Sequence, residues 1–118
     1  MIHMPAVTLL IALTLLGSAL LPPACLAAEG SVTIISPKDG ATLNAKDKNK
    51  IVYDIVPGPR GDHVHVYVDD KEVDILRQLK GSYTFDSLSS GKHAICVKVV
   101  NKAHVPTGLQ RCVNVTVE

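Results

Sequence analysis

The chain has 118 residues, which is enough for one domain and too few for two. Its 12 basic and 11 acidic side chains all lie at or after Glu29, so the first 28 positions carry none of them. A net charge of +1 with mixed signs argues against nucleic acid or an anionic membrane surface as a partner. The chain has no Trp and one Phe, which also disfavours a platform for stacking bases.

The N-terminal segment has the pattern of an export signal. Residues 5–21 form an uncharged run rich in Leu, Ile, Val and Ala, followed by two prolines and then by alanines directly before Glu29. This pattern predicts a secretory signal peptide over 1–28, cleaved after Ala27 or Ala28, and a mature domain over 29–118. The mature protein is then expected to be periplasmic or secreted, without a membrane anchor. A retained N-terminal anchor is the alternative, because the run is near the short limit for a membrane span.

The cysteine count agrees with export. Cleavage removes Cys25 and leaves Cys96 and Cys112 in an oxidising compartment, where an even count predicts one disulfide. A reduced, buried thiol pair is the alternative, and it is more typical of a cytosolic protein.

The mature segment has the hydrophobic pattern of short strands. Period-two alternation recurs after Glu29, whereas no stretch keeps a helical period. The predicted strands are separated by Gly, Pro and charged turns and lie near 32–35, 51–56, 63–68, 73–75, 83–85, 95–99 and 113–117. This arrangement predicts an all-β, immunoglobulin-like sandwich of about seven antiparallel strands.

The last two predicted strands define a register. If Cys96 faces Cys112, antiparallel pairing also sets Ile95 opposite Val113 and Val99 opposite Leu109. These four apolar residues then share one face, and both cysteines lie on the other. Alternation and the disulfide therefore predict the same hairpin, with an outward-facing cross-strand bridge.

Two resemblances extend this interpretation. The segment Leu88-Ser89-Ser90-Gly91-Lys92-His93 resembles the turn into the penultimate strand of immunoglobulin-like and fibronectin type III-like domains. In those domains a Leu-x-x-Gly-x-Tyr pattern places a corner Tyr, and His93 stands at that position. The resemblance implies a structural corner in which His93 bonds to backbone. The chain departs from antibody domains in lacking their core Trp and the Cys of their second strand.

The chain also resembles small exported bacterial domains of unknown function that contain histidines. Those domains carry a Gly followed by a His cluster on a strand, a Gly-x-His turn and a later His-x-Pro. The matching segments here are Gly61-Asp62-His63-Val64-His65, Gly91-Lys92-His93 and His104-Val105-Pro106. A shared fold does not by itself establish a function.

The sharpest candidate for chemistry is the pair His63 and His65. On a strand these side chains project from one face, opposite the Val64 stripe, and two imidazoles so placed suit Zn or Cu. Antiparallel pairing of strands 63–68 and 95–99 brings the loop that holds His104 to the same end, so His104 is the expected third ligand. Affinity should fall as the pH drops through about 6.5, because ligand imidazoles must be neutral.

Other residues near this site have alternative interpretations. Asp62 and Tyr67 are candidate accessory ligands, whereas His93 should lie at the opposite end of its strand. The alternative for His63 and His65 is a pair of polar side chains on a solvated sheet face. The acidic cluster at Asp69, Asp70, Glu72 and Asp74 is interpreted as a solvated turn.

The residue inventory predicts a binding protein without enzymatic activity. The sequence has neither a Gly-rich phosphate loop nor a Gly-x-Ser-x-Gly nucleophile motif. The favoured function is an exported binding module with a histidine site for Cu or Zn. A structural or adhesive module that binds an extracytoplasmic protein partner without metal is the alternative.

Overall fold

The computed structural model describes residues 30–118 together with positions 2, 3 and 17. The predicted cleavage site and nearly all of the predicted leader, including its anchor alternative, therefore lie outside the described residues. Among the described residues, no helix is long and apolar enough to cross a membrane.

The described part of the chain folds as strands and turns, as the alternation predicts. Its eight strands are β1 (Ser31–Ser36), β2 (Ala41–Leu43), β3 (Lys50–Val56), β4 (His63–Val68), β5 (Lys71–Leu76), β6 (Lys80–Thr84), β7 (Gly91–Val100) and β8 (Pro106–Val117).

The predicted count of about seven strands is wrong by one, because it omits β2. This strand has only three residues, too few for a period-two pattern to be visible. It pairs in parallel with β8, so the expectation of an entirely antiparallel arrangement is also wrong. Gly40, with φ of 83°, turns the chain into this pairing, and its amide donates to the Asn114 carbonyl at 2.7 Å.

The strands form two sheets that pack face to face. The smaller sheet has the order β1-β3-β6, and the larger sheet has the order β2-β8-β7-β4-β5. Apolar side chains alternate along the strands and meet between the sheets, and this burial is the main source of stability. The core contains Val32, Ile34, Ile51, Tyr53 and Ile55 from the smaller sheet, with Val64, Val66, Ile95, Val97, Val99, Val113, Val115 and Val117 from the larger one.

The disulfide between Cys96 and Cys112 is present, and it joins residues that lie directly opposite each other in β7 and β8. Ile95 pairs with Val113, as the predicted register requires. Both cysteines lie on the face opposite the core residues Ile95 and Val113, as predicted, where Cys112 is exposed and Cys96 is covered, with 6% exposure.

The predicted pairing of Val99 with Leu109 is wrong. The regular ladder ends at Lys98 and Gln110, and pairing resumes at Val100 and Pro106. Between these pairs β8 contributes more residues than β7, and Gly108 has φ of 96°, which few residues other than glycine adopt. The excess bends the end of the hairpin, although the Leu109 side chain still packs against the core.

We expect the disulfide to stabilise the fold without determining it. Replacing Cys96 and Cys112 together by Ala should lower the free energy of unfolding by about 3 kcal/mol, because the bridge closes a loop over a sequence separation of 16. Denaturant unfolding followed by circular dichroism measures this difference. An unchanged unfolding midpoint, or loss of the β-sheet spectrum in the double variant, would contradict the prediction.

Candidate metal centre

Strand β4 places two histidines on the outer face of the larger sheet. Val64 and Val66 point into the core, so His63 and His65 point the opposite way. These imidazoles are nevertheless buried, with residue exposures of 1% for His63 and 4% for His65. The pair is therefore not part of a solvated face, and its polar nitrogens need partners within the protein.

The third histidine reaches this face from the loop between β7 and β8. Strands β4 and β7 are antiparallel, and His63 lies opposite Val100, the last residue of β7. Asn101 then closes a tight loop, because its side-chain oxygen accepts from the amides of Ala103 at 2.9 Å and Val105 at 3.0 Å. His104 adopts φ of 63° within this loop. Such a conformation is uncommon for a residue other than glycine and often occurs at functional sites.

The three imidazoles converge on one point. The Nε2 atoms of His63 and His65 are 3.1 Å apart, and the Nδ1 atom of His104 lies 3.1 Å from the first and 3.0 Å from the second. Within residues 30–118, these histidines form a group whose ligand atoms all lie within 4.8 Å of one another. The structure thus brings together the three side chains that the sequence analysis selected.

Two carboxylates hold the buried rings in orientation. Asp62 accepts a hydrogen bond from Nδ1 of His63 at 2.9 Å, and Glu72 contacts Nδ1 of His65. Carboxylates in this position fix which nitrogen carries the hydrogen and direct the other nitrogen toward a metal. Asp62 therefore contacts His63 on the side away from the cluster, and its role as an accessory ligand stays a prediction.

Hydrogen bonding alone does not satisfy the convergent nitrogens. A neutral imidazole has one N–H, and the carboxylate contacts assign it to Nδ1 in both His63 and His65. Both Nε2 atoms then present lone pairs to each other, and the Nδ1 atom of His104 offers one hydrogen at most. Three close nitrogen contacts share a single hydrogen in this state. A cation at the centre would satisfy all three lone pairs.

The pKa of His65 favours a neutral ring. Burial is the main cause that lowers this pKa, and the neighbouring His63 and His104 lower it further, whereas Glu72 opposes them. The pKa of Asp62 is also lowered, first by its hydrogen bond to His63 and then by charges that include Lys102 and Arg77. Neutral imidazoles beside ionised carboxylates are the state in which histidine binds metal ions.

The geometry fits a first-row transition metal. Zn–N bonds of about 2.0–2.1 Å in a tetrahedral arrangement place the nitrogens roughly 3.3 Å apart. The observed separations of 3.0 to 3.1 Å are close to this value. Three imidazoles are a donor set that suits both Zn and Cu.

The other residues selected from the sequence lie outside this cluster. The Tyr67 ring lies under the Lys98 ammonium, which is 4.3 Å from its centroid. Glu72 belongs to the acidic cluster that the sequence predicts to be a solvated turn, and its side chain is 45% exposed, but it lies on β5 and contacts His65. A register shift between β4 and β5 brings Glu72 opposite Tyr67, on the face that carries His65. Alternation read from β5 alone does not show this shift.

His93 lies near the opposite end of β7 and makes a different set of contacts. Its Nδ1 atom donates to Asp69 at 2.5 Å, and its Nε2 atom donates to the Ser89 carbonyl at 2.7 Å. Asp69 also accepts from the Ala94 amide at 2.9 Å. The Ser89 hydroxyl is 3.3 Å from Nε2, which gives a Ser-His-Asp alignment. However, the bond to the carbonyl occupies Nε2 with its hydrogen, so this nitrogen is not a base for the hydroxyl.

Comparison with solved structures identifies the fold. Fibronectin(III)-like modules of Clostridium thermocellum CbhA match with a TM-score of 0.60 and 18% identity, over 74% of this chain and 95% of theirs. The extracellular domain of a candidate one component system from B. thetaiotaomicron matches with a TM-score of 0.50 and 16% identity, over 75% of this chain and 15% of that longer chain. The chain therefore has an immunoglobulin/fibronectin type III-like β-sandwich fold.

A lytic polysaccharide monooxygenase of Jonesia denitrificans also matches, with a TM-score of 0.50 and 11% identity, over 74% of this chain and 77% of that one. At this identity the match shows a common fold and not a common activity. No protein-family model and no curated protein sequence matches the chain.

The contacts of His93 predict a pH-dependent contribution to stability. Its hydrogen bonds to Asp69 and Ser89 raise the pKa of His93, and the Ala94 amide followed by His93 lowers the pKa of Asp69. The histidine contribution is complete below an unfolded pKa near 6.5 and is lost as the pH rises through the folded pKa. The aspartate contribution is complete above about pH 4 and is lost at lower pH.

We therefore expect His93→Gln to destabilise the protein most between about pH 4 and 6.5, with a smaller difference at pH 8. Denaturant unfolding of both proteins across this range measures the difference. Asp69→Asn serves as the control, because it should remove the larger part of the pH dependence while His93 and its hydrogen bond to Ser89 remain. A difference that stays constant from pH 5 to 8 would contradict the prediction.

Proposed function

We propose that this chain is an extracytoplasmic binding module, without enzymatic activity, that holds one Cu or Zn ion through His63, His65 and His104. The convergence of the three nitrogens carries this proposal, because the tautomers assigned by the carboxylates leave a lone pair on each Nε2 of His63 and His65, 3.1 Å apart. Burial of His63 and His65 means that solvent does not relieve this contact. The supporting carboxylates of Asp62 and Glu72 are the arrangement that protein metal sites use around ligating histidines.

The proposed location is the periplasm or the exterior of the cell. The disulfide between Cys96 and Cys112 is typical of oxidising compartments. The predicted leader over 1–28 and the structural likeness to an extracellular domain support the same location.

A structural or adhesive module that binds a protein partner without metal is the second candidate. Strand β5 is an edge strand of the larger sheet, and its Val73 and Ile75 are 44% and 40% exposed. Exposed apolar side chains on an edge strand favour contact with another chain. Metal analysis of protein purified without an affinity tag distinguishes the two candidates, because only the first requires a bound ion.

We expect the wild-type protein to bind one Cu²⁺ or Zn²⁺ ion per chain, and the His63→Ala/His65→Ala double variant to bind none tightly. Two of the three ligands are then missing, and one imidazole does not form a dedicated site. Isothermal titration calorimetry with elemental analysis measures the stoichiometry and affinity.

His93→Ala is the matched control, because it removes an imidazole that lies outside the cluster. This variant should lose stability and keep wild-type metal affinity. Equal metal uptake by the wild type and the double variant would refute the site.

The supporting carboxylates should affect affinity without being ligands. Glu72→Gln keeps the size of the side chain but removes the charge that orients His65, so metal affinity should fall by about 10-fold or more. Asp74→Asn removes the same charge from the same strand, and the Asp74 carboxylate accepts from the Ile75 amide at 2.7 Å, so this variant should retain wild-type affinity. Equal losses in both variants would indicate a general charge effect and contradict an orienting role for Glu72.

A further inference from the structure

We infer that the metal at this centre keeps one coordination position for a small anionic ligand from solvent, such as a carboxylate or hydroxide. The inference rests on the proposed metal site. It adds the chemical class of a second ligand, which neither the fold nor the histidine cluster assigns by itself.

The proposed site has three protein ligands. Among residues 30–118, the cluster of histidine, cysteine and carboxylate ligand atoms consists of His63, His65 and His104. Zn²⁺ and Cu²⁺ bind at least four donors in most protein sites, and sites with three protein ligands leave a position for water or substrate. One position therefore remains after the three imidazoles have bound.

The nearest carboxylates already contact the ligand histidines. Asp62 bonds to Nδ1 of His63, and Glu72 contacts Nδ1 of His65. Nδ1 and Nε2 diverge across the imidazole ring, so an oxygen bound at Nδ1 lies behind the ring as seen from the metal. These carboxylates do not fill the fourth position while they orient the histidines.

Solvent has access to the cluster from one side. His63 and His65 are buried, whereas His104 is exposed, so solvent reaches the cluster from the side of the β7–β8 loop. A groove of about 500 Å³ lies between the loop that precedes β4 and the loop that follows β7. Asp62 lines this groove and also bonds to Nδ1 of His63, so the groove adjoins the cluster behind the His63 ring.

The charges around the proposed metal favour an anionic ligand. Three neutral imidazoles leave the positive charge of the metal uncompensated by its direct ligands. Arg60 and Lys102 line the same groove as Asp62, so the charged side chains of its lining carry a net positive charge. A positive rim beside a divalent cation attracts anions. An anion is therefore a better fourth ligand than a neutral or cationic group.

The test is an azide titration of the full mature chain loaded with Cu²⁺. Azide bound directly to Cu²⁺ produces a charge-transfer absorption band and changes the electron paramagnetic resonance spectrum. We expect one saturable phase with one azide per copper, and competition by acetate. The Lys102→Gln variant should keep its copper content and bind azide several-fold more weakly.

Lys48→Gln is the charge-matched control. Lys48 follows β2, whose Leu43 pairs with Val117, and Val117 pairs with Gly91 at the far end of β7 from Val100. This variant should bind azide as the wild type does. An equal weakening of azide binding in Lys48→Gln would overturn the role assigned to the groove charges.

Two further outcomes distinguish failure of the open coordination position from failure of the proposed metal site. A wild-type protein that takes up no copper would refute the metal site itself. A copper-loaded protein with a spectrum insensitive to azide would overturn only the inference, because the fourth position would then be filled. If Tyr67→Phe then restored azide binding, Tyr67 would be the ligand that fills the fourth position. Copper-dependent dimers in size-exclusion chromatography would instead identify a ligand from a second copy of the chain.

Discussion

The pairing of β4 with β7 is the constraint on which the rest of this structure depends. It sets Val64 and Val66 against the core, which forces His63 and His65 onto the opposite face. It also places Val100 beside His63, so the loop that follows β7 must begin at this end of the sheet. A shift of one residue in this register would send the imidazoles into the core and the valines to the outside. Core packing therefore enforces the position of the histidines.

Two features of the histidine cluster reduce the stability of the folded state. Buried lone pairs at 3.1 Å repel each other, and the left-handed conformation of His104 adds a backbone cost of about 1–3 kcal/mol. An ion bound as proposed would reverse the first effect, and its binding to the folded state alone would stabilise that state by about 2.7 kcal/mol at a free metal concentration 100 times Kd. The same convergent nitrogens would then favour the folded state.

The sequence was sufficient for features that depend on alternation and on strand order. The valine stripe of β4, the disulfide and the location of His104 at the same end all follow from period-two patterning and antiparallel pairing. The omitted strand β2 has three residues and gains its identity from pairing with β8, which no local pattern encodes. Glu72 was missed for a related reason, since the register shift that places it near His65 involves two strands. Local patterns predict the faces of single strands, whereas irregular pairings depend on both partners.

The two ends of β7 show how the number of acceptors decides what a histidine does. His93 has two acceptors, the Asp69 carboxylate and the Ser89 carbonyl, and both nitrogens donate to them, so its charged form is favoured. His63 and His65 have one carboxylate each, at Nδ1, and their Nε2 atoms face other imidazoles. An imidazole with two acceptors donates from both nitrogens and holds the backbone in place. An imidazole with one acceptor keeps a lone pair on its other nitrogen. On this basis the same residue type serves as a structural cation at one end of the strand and as the proposed metal ligand at the other.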